Sequence, residues 1–143
     1  MFYLVFVVVL LAGAGIAVQM PMTAIAAQRI GLSESVLVVN VIGLATIAVV
    51  LFFKGGSNLA AWRSLPWYAY LAGPIGIGVM AAIAFAIPRI GVSSALTLSI
   101  AAQLFVSAIL DHIGFLGLPV RPLEWPRVIG AVIVTFGVYI VVR

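Results

Sequence analysis

The sequence has little of what a soluble protein needs. No cysteine occurs among its 143 residues, and only 7% of them are charged, against about 25% in an average soluble domain. The absence of cysteine excludes disulfides, thiolate metal sites and cysteine nucleophiles. One histidine and three acidic residues do not form a hydrolase-type catalytic set, and no glycine-rich phosphate loop or HExxH zinc motif occurs. We therefore expect no enzyme activity, no metal and no cofactor.

The chain is instead rich in long apolar stretches of the kind that are stable in the hydrocarbon core of a membrane. Hydrophobic residues make up 66% of it, and the mean hydropathy is +1.37. The apolar residues run all round the predicted helices, which is typical of helices surrounded by lipid or protein. The seven basic residues stand singly at the edges of apolar stretches, as interfacial anchors do, whereas a nucleic-acid surface needs clustered charge. The sequence predicts an integral membrane protein whose surroundings are the lipid bilayer, with no nucleic-acid partner.

Five membrane spans are predicted, because each crossing needs about 20 apolar residues. The first is expected to be a retained helix, since no basic segment precedes it as in a secretory signal. Residues 88–91 are predicted to turn the chain between the third and fourth spans. The fifth is short, so a four-span chain with a re-entrant end stays open. The predicted all-α fold is a single transmembrane domain over residues 1–143, with spans at about residues 2–27, 33–53, 66–88, 92–115 and 126–142.

The distribution of basic residues hardly favours either orientation of the chain in the membrane. Five spans place the termini on opposite sides of the membrane, and loop Lys and Arg normally decide which side is cytoplasmic. Four basic residues fall on the amino-terminal side and three on the other, so the chain is expected to insert both ways. The amino-terminal set is Lys54, Arg63, Arg121 and Arg127, and the opposite set is Arg29, Arg89 and Arg143. The aromatic residues Trp62, Trp67, Tyr68, Tyr70 and Trp125 form a predicted interfacial belt on the amino-terminal side.

Polar residues inside the spans mark candidate functional positions, because such groups are costly in lipid unless they face neighbours or water. In the fourth span they recur every four residues and so share one helix face. In the first span Gln19 lies beside Pro21, an interruption typical of transporter substrate sites, and the second span carries Asn40. The structural alternatives are helix–helix hydrogen bonds and a tolerated kink. The fourth-span stripe consists of Ser99, Gln103, Ser107 and Asp111.

The charged residues near span ends have less specific interpretations. Asp111 and His112 end the fourth span, where they would relay protons or gate the pathway, or else simply face lipid headgroups. Glu34 is expected to stabilise the first turn of the second span through the helix dipole. No carboxylate lies near the middle of any span, which disfavours a proton-coupled exporter of cationic drugs.

Several segments together resemble the YdcZ-like family of the drug/metabolite transporter superfamily, and the resemblance covers almost the whole chain. The most specific stretch is residues 102–114, Ala-Gln-Leu through Asp-His-Ile-Gly. The resemblance implies a multi-pass protein of the bacterial inner membrane, equivalent to one half of a ten-helix transporter with two inverted repeats. By resemblance, Gln19, Asn40, Gln103 and Asp111 match recurring polar positions of the family. The other matching segments are residues 15–19, 40–43, 91–96, 127–130 and 137–139.

A lone five-span chain then needs an oppositely oriented partner to complete the pathway. The predicted function is a small-molecule transporter that works as an antiparallel homodimer by alternating access. Its predicted substrate site is lined by Gln19, Asn40, Ser99 and Gln103, whose amides and hydroxyl favour a small neutral or zwitterionic metabolite. A heterodimer with an oppositely oriented paralogue is the alternative within transport. A non-transporting scaffold or regulatory subunit is the alternative outside it.

Overall fold

The structure, a computed structural model, describes residues 2–55, 59–115 and 124–143. Within these ranges it consists of five α-helices and two short 3-10 helices, which confirms the all-helical prediction. The predicted loop at residues 114–125 falls largely on residues 116–123, so that part of it, with Arg121, lies outside the described residues. The helices are α1 (Phe2–Ile30), α2 (Leu32–Phe53), α3 (Ala72–Ile90), α4 (Val92–Ile113) and α5 (Trp125–Val142), with 3-10 helices at Leu59–Ser64 and Trp67–Leu71.

Four helical segments in the described residues are long and apolar enough to cross a membrane. They are Tyr3–Ile30, Leu32–Phe53, Trp67–Ile90 and Val92–Ile113, whereas the apolar part of α5, Val128–Val142, is shorter. Only 6% of the residues in the most apolar windows of α1 and α2 are buried by the rest of the chain. Apolar side chains exposed to this extent are unfavourable in water, so the helices require hydrocarbon or a partner around them.

A single glycine connects α1 to α2, and another connects α3 to α4. Gly31 has φ 100° and ψ 155°, and Gly91 has φ 83° and ψ 161°. This is backbone that essentially only glycine adopts. The turn predicted at residues 88–91 is therefore confined to Gly91, and its predicted start at Pro88 is wrong, because α3 continues through Pro88 to Ile90. Pro88 forfeits only one helical hydrogen bond, two residues before the helix ends, while the positive φ of Gly91 redirects the chain.

The chain enters α3 through aromatic 3-10 turns rather than through a continuous helix from residue 66. Pro74 lies in the first turn of α3, where its fixed φ is compatible with the start of a helix. The Tyr70 hydroxyl donates a 2.7 Å hydrogen bond to the Trp62 carbonyl, and the two rings meet edge to face at 6.2 Å. The Arg63 guanidinium lies 5.8 Å from the Trp62 ring centroid. The placement of these aromatic groups in an interfacial belt stays a prediction.

The chain forms two compact units, Met1–Pro88 and Arg89–Arg143. In the first, α1 and α2 pack together near Gly31, where Thr23, Ala24, Ser35 and Val36 are buried. The Thr23 hydroxyl donates to the Gln19 carbonyl at 3.1 Å and the Ser35 hydroxyl to the Leu32 carbonyl at 3.0 Å. Residues 3–19 and 40–50 are exposed, so the tight packing of this helix pair is confined to the end near the turn.

In the second unit α4 packs against α5, and Ala95, Ala101 and Val138 are buried. Gly114 ends α4 in the left-handed conformation, with φ 63° and ψ 42°, and its N–H donates to the Leu110 carbonyl. The predicted end of the fourth span at residue 115 is thus close to the observed end at Ile113. The organisation of residues 1–143 as one domain stays a prediction.

The sequence around the two glycine turns repeats after 60 residues. Residues 11–33 and 71–93 are identical at ten of 23 positions. The buried Ala24 and Ala84, both 1% exposed, are one such pair. The chain therefore contains two copies of a helix–glycine–helix unit, and α5 lies outside the repeat. The identical pairs are Leu11 and Leu71, Ala12 and Ala72, Gly13 and Gly73, Met20 and Met80, Ala24 and Ala84, Ala26 and Ala86, Arg29 and Arg89, Ile30 and Ile90, Gly31 and Gly91, and Ser33 and Ser93.

Candidate solute-binding site

Gln19 and Asn40 lie at similar distances along their helices from the Gly31 turn. Gln19 precedes Gly31 by 12 residues and Asn40 follows it by nine, which corresponds to about 18 Å and about 14 Å of helix. Half the thickness of the hydrocarbon core is about 15 Å. If the turn lies at the membrane surface, both amides lie close to the bilayer midplane. Both side chains are exposed, and no hydrogen bond joins them among the described residues of this unit.

Ser99 and Gln103 occupy corresponding depths in the second unit. They follow Gly91 by eight and 12 residues, or about 12 Å and about 18 Å along α4. The Gln103 Nε2 group donates a 3.0 Å hydrogen bond to the Ser99 hydroxyl. This bond confirms that the four-residue spacing places the two side chains on one helix face. Gln19 and Asn40 belong to the other unit, so the grouping of all four residues into one site stays a prediction.

A cavity of about 320 Å³ lies between α2 and α3, and Asn40 is part of its wall. The cavity extends along α2 from Leu32, at the start of the helix, to Asn40, a distance of about 12 Å. Its size falls at the lower end of the range for small-molecule sites. The principal lining residues are Leu32, Ser33, Val36 and Asn40 of α2 and Ile77 and Ala81 of α3.

The Asn40 amide is held at its nitrogen by two contacts. Its Nδ2 group donates a 2.8 Å hydrogen bond to the Val36 carbonyl and lies 3.8 Å from the Met80 sulfur. Since only a donor can pair with a carbonyl oxygen, the nitrogen must be the atom that faces Val36. No described hydrogen bond engages Asn40 Oδ1, which leaves an acceptor on the amide. Met80 was not among the predicted site residues, because a thioether carries no polar signal in a hydropathy profile.

A second cavity, of about 370 Å³, lies between α4 and α5 and is lined by Ser107 and Asp111 from the polar stripe. Gly130 and Ala131 of α5 lie opposite and leave the space open. Asp111 is half-buried, whereas His112 is exposed and is not part of the cavity wall. Adjacent helical residues point in different directions, so the two side chains do not share a face. A proton or gating role for Asp111 and His112 stays a prediction.

Glu34 lies in the first turn of α2 with its carboxylate against Gly31. A negative charge there is favoured by the helix dipole, which agrees with its predicted stabilising role. In the described ranges, no three His, Asp or Glu side chains lie close enough to share a metal ion.

The 60-residue repeat allows a predicted site residue to be compared with the residue at the same position in the other copy. Of the four predicted site residues, only Gln19 lies within the repeated residues, and its counterpart in the other copy is the apolar Val79. The polar side chain at position 19 is therefore a difference between two otherwise similar stretches. The residues 60 positions from Asn40, Ser99 and Gln103 are Ile100, Val39 and Gly43, and they lie beyond the repeated residues.

The family model described as "Putative inner membrane exporter, YdcZ" matches residues 4–140. No curated protein and no solved structure matches significantly. The match covers α2, α3 and α4 completely and nearly all of α1 and α5.

Proposed function

The chain belongs to the YdcZ family of inner-membrane exporters within the drug/metabolite transporters, and from this we propose that it transports a small neutral or zwitterionic metabolite as an antiparallel homodimer. It is a transporter-family protein of the inner membrane rather than an enzyme. In the proposed mechanism two oppositely inserted copies enclose a site at the bilayer midplane. Exchange between two equivalent tilts of the copies would give alternating access.

The observation that carries the proposal is the common depth of four uncharged polar residues. Gln19, Asn40, Ser99 and Gln103 lie about 12–18 Å of helix from the glycine turn nearest to each. An antiparallel dimer brings corresponding residues of the two copies to the same level only when they lie near the midplane, at about 15 Å. Amides and hydroxyls there bind hydrogen-bonding solutes without a net charge.

The proposal needs α5 to cross the membrane as a fifth span, equivalent to half of a ten-helix transporter. Trp125–Val142 contains 18 residues, or about 27 Å of helix, which nearly spans the hydrocarbon core. Arg143 follows directly, and its guanidinium lies 5.8 Å from the Tyr139 ring centroid. A cation and an aromatic ring at a helix end are suited to the headgroup layer, which compensates for the short length.

Dual insertion is tested by reporters fused after Arg143, one active only in the cytoplasm and one only outside it. Comparable signals from both support the antiparallel homodimer. Signal from one reporter alone refutes it and favours a heterodimer with an oppositely oriented paralogue, or a scaffold subunit. The near balance of basic residues, four against three, is the reason to expect both signals.

The site is tested by Gln103→Leu in transport assays with reconstituted protein and a panel of small uncharged and zwitterionic metabolites. We expect transport to be lost while membrane insertion and assembly persist. Gln28→Leu is the matched control, because Gln28 is an exposed glutamine three residues from Gly31, at the membrane surface. Full activity of the Gln103→Leu protein would exclude Gln103 from the site. No transport of any solute by the parent chain would favour the scaffold role.

A further inference from the structure

The cavity between α2 and α3 has polar groups at both ends and an apolar wall between them. Ser33, in the first turn of α2, presents an exposed hydroxyl at the end near Gly31. Asn40 lies at the inner end, and Val36, Ile77 and Ala81 form part of the wall between. The cavity therefore leads from the glycine turn to Asn40, whose amide lies close to the midplane if the turn is at the membrane surface.

The chemistry of the lining restricts what the cavity binds. None of its lining residues is ionisable, so a charged group inside would have no counter-charge from the wall. Because the Asn40 nitrogen is engaged by Val36 and Met80, the amide presents its oxygen to a ligand. An amide oxygen accepts hydrogen bonds and cannot donate them. The ligand must therefore supply an N–H or O–H group and carry an apolar body.

We propose that this cavity is a subsite for a small uncharged solute whose N–H or O–H group donates to Asn40 Oδ1, with Met80 as the positioning residue for the amide. The inference rests on the proposed transport function and narrows its substrate class from neutral or zwitterionic to uncharged at this subsite. Met80 does not contact the solute in this arrangement. Its sulfur accepts from the Asn40 nitrogen at 3.8 Å and so helps to fix the orientation of the amide, which leaves Oδ1 as the free acceptor.

The two helix–glycine–helix units supply matched controls for both residues. Ile100 follows Gly91 by nine residues, as Asn40 follows Gly31, so Asn40→Ile introduces a side chain that α4 carries at the same distance from its glycine turn. The counterpart of Met80 is Met20, which is 8% exposed on α1 and makes no described hydrogen bond to Asn40. Met80→Leu and Met20→Leu make the same near-isosteric change. Only the first removes the sulfur beside Asn40.

The first experiment tests whether the cavity is open to water. Because the natural chain has no cysteine, single cysteines can be introduced without a background reaction. Ala81→Cys places a thiol in the cavity wall, and Ala82→Cys places one at the same depth outside it. Uncharged methyl methanethiosulfonate should modify the Ala81→Cys protein about tenfold faster or more, because the reactive thiolate forms only where water reaches. Equal rates for the two proteins would overturn the proposal.

The second experiment identifies the solute class by protection of the Ala81→Cys thiol. Pentanamide, which has an amide N–H, should slow the modification, whereas pentanoate and pentylammonium should not. Asn40→Ile should raise the half-protecting pentanamide concentration about tenfold, the effect of losing one neutral hydrogen bond. Equal protection by pentanoate, or unchanged protection in the Asn40→Ile protein, would overturn the assignment. Ser33→Cys, with its repeat counterpart Ser93→Cys as control, is the second reporter if Ala81→Cys does not fold.

The positioning role of Met80 has its own readout. Met80→Leu should raise the half-protecting pentanamide concentration about two- to fivefold, as expected for a weak hydrogen bond. Protection by N,N-dimethylpentanamide, which lacks an N–H, should be unchanged, whereas a purely structural disturbance would alter both. Met20→Leu should alter neither, and an equal effect of the two leucine variants would exclude Met80. These tests do not depend on dimerisation. If pentanamide fails to protect the Ala81→Cys thiol while both reporters fused after Arg143 give signal, the subsite is refuted and the proposed function stands.

Discussion

The backbone at the two glycine turns predicts that alanine is tolerated at neither Gly31 nor Gly91. Both residues have positive φ with extended ψ, a region that side chains other than hydrogen make unfavourable by about 1–3 kcal/mol. A Cβ at Gly91 would meet nothing within 4 Å, so the cost there is backbone strain alone. Each substitution should lower the free energy of unfolding by about that amount, because the turn contains no second residue to absorb the change.

Gly31→Ala should cost more than Gly91→Ala, because its Cβ would collide with the Glu34 carboxylate. The carboxylate is the end of a flexible side chain and can move away, but it then loses its interaction with the N-terminus of α2. That interaction is worth about 0.3–1 kcal/mol. In a Glu34→Gln background the interaction is already absent, so the two alanine substitutions should cost nearly the same.

Unfolding of the purified protein by a denaturing detergent, followed by far-ultraviolet circular dichroism, measures these differences. Gly13→Ala and Gly43→Ala are the controls, since both glycines lie within helices and an added Cβ meets nothing within 4 Å. Alanine is favoured over glycine inside a helix by about 0.5–1 kcal/mol, so the controls should be neutral or stabilising. Gly31→Ala and Gly91→Ala proteins as stable as the parent would refute the account of the turns.

Three further outcomes follow from single contacts and from the charge distribution. Ser35→Ala should change the free energy of unfolding by less than about 1 kcal/mol, because Ala95, also buried, follows Gly91 at the same interval as Ser35 follows Gly31. Ser35→Leu should cost about 1–3 kcal/mol by overpacking a fully buried position. Equal effects of the two substitutions would contradict the packing near Gly31. Tyr70→Phe should cost about 0.5–1.5 kcal/mol through loss of the bond to the Trp62 carbonyl, whereas Tyr68→Phe, which removes no described bond, should be silent in the same unfolding assay. Ser64→Lys adds a fifth basic residue to the amino-terminal side, so nearly all of the signal should come from one of the two reporters fused after Arg143. Ser64→Gln is the control and should leave both signals unchanged. Two-sided insertion of the Ser64→Lys protein would show that the balance of Lys and Arg does not set the orientation.

Helix positions could be predicted from the sequence because the apolar stretches have clear ends. The predicted start at residue 33 and end at residue 53 of the second span lie within one residue of α2, Leu32–Phe53. The error at Pro88 has a physical cause. Proline is a strong signal for a helix end in sequence, yet close to the end it removes only one hydrogen bond, and glycine alone supplies the positive φ of the turn.

The candidate site was only partly predictable. The four-residue spacing correctly placed Ser99 and Gln103 on one face, since helix geometry fixes that relation. The contact between Asn40 and Met80 joins residues 40 positions apart, and hydropathy carries no information on which apolar side chains of α3 meet α2. The repeat was hidden for a related reason. Where nearly every residue is apolar, only residue identity, such as Arg-Ile-Gly after equal intervals, distinguishes one stretch from another.

The one-residue connection between α1 and α2 also bears on how the protein is made. A long loop must be carried across the bilayer or held back, and its charges then commit the growing chain to one direction. At Gly31 the connection is one residue long and the charged side chains beside it are Arg29 and Glu34, so the two helices are expected to enter the membrane together as a pair. Acidic residues contribute little to orientation, so the preference for one side at this turn comes from Arg29. The first turn therefore has little influence on the membrane orientation of a newly synthesised chain. The same holds for the second turn, where Arg89 precedes Gly91 by two residues as Arg29 precedes Gly31.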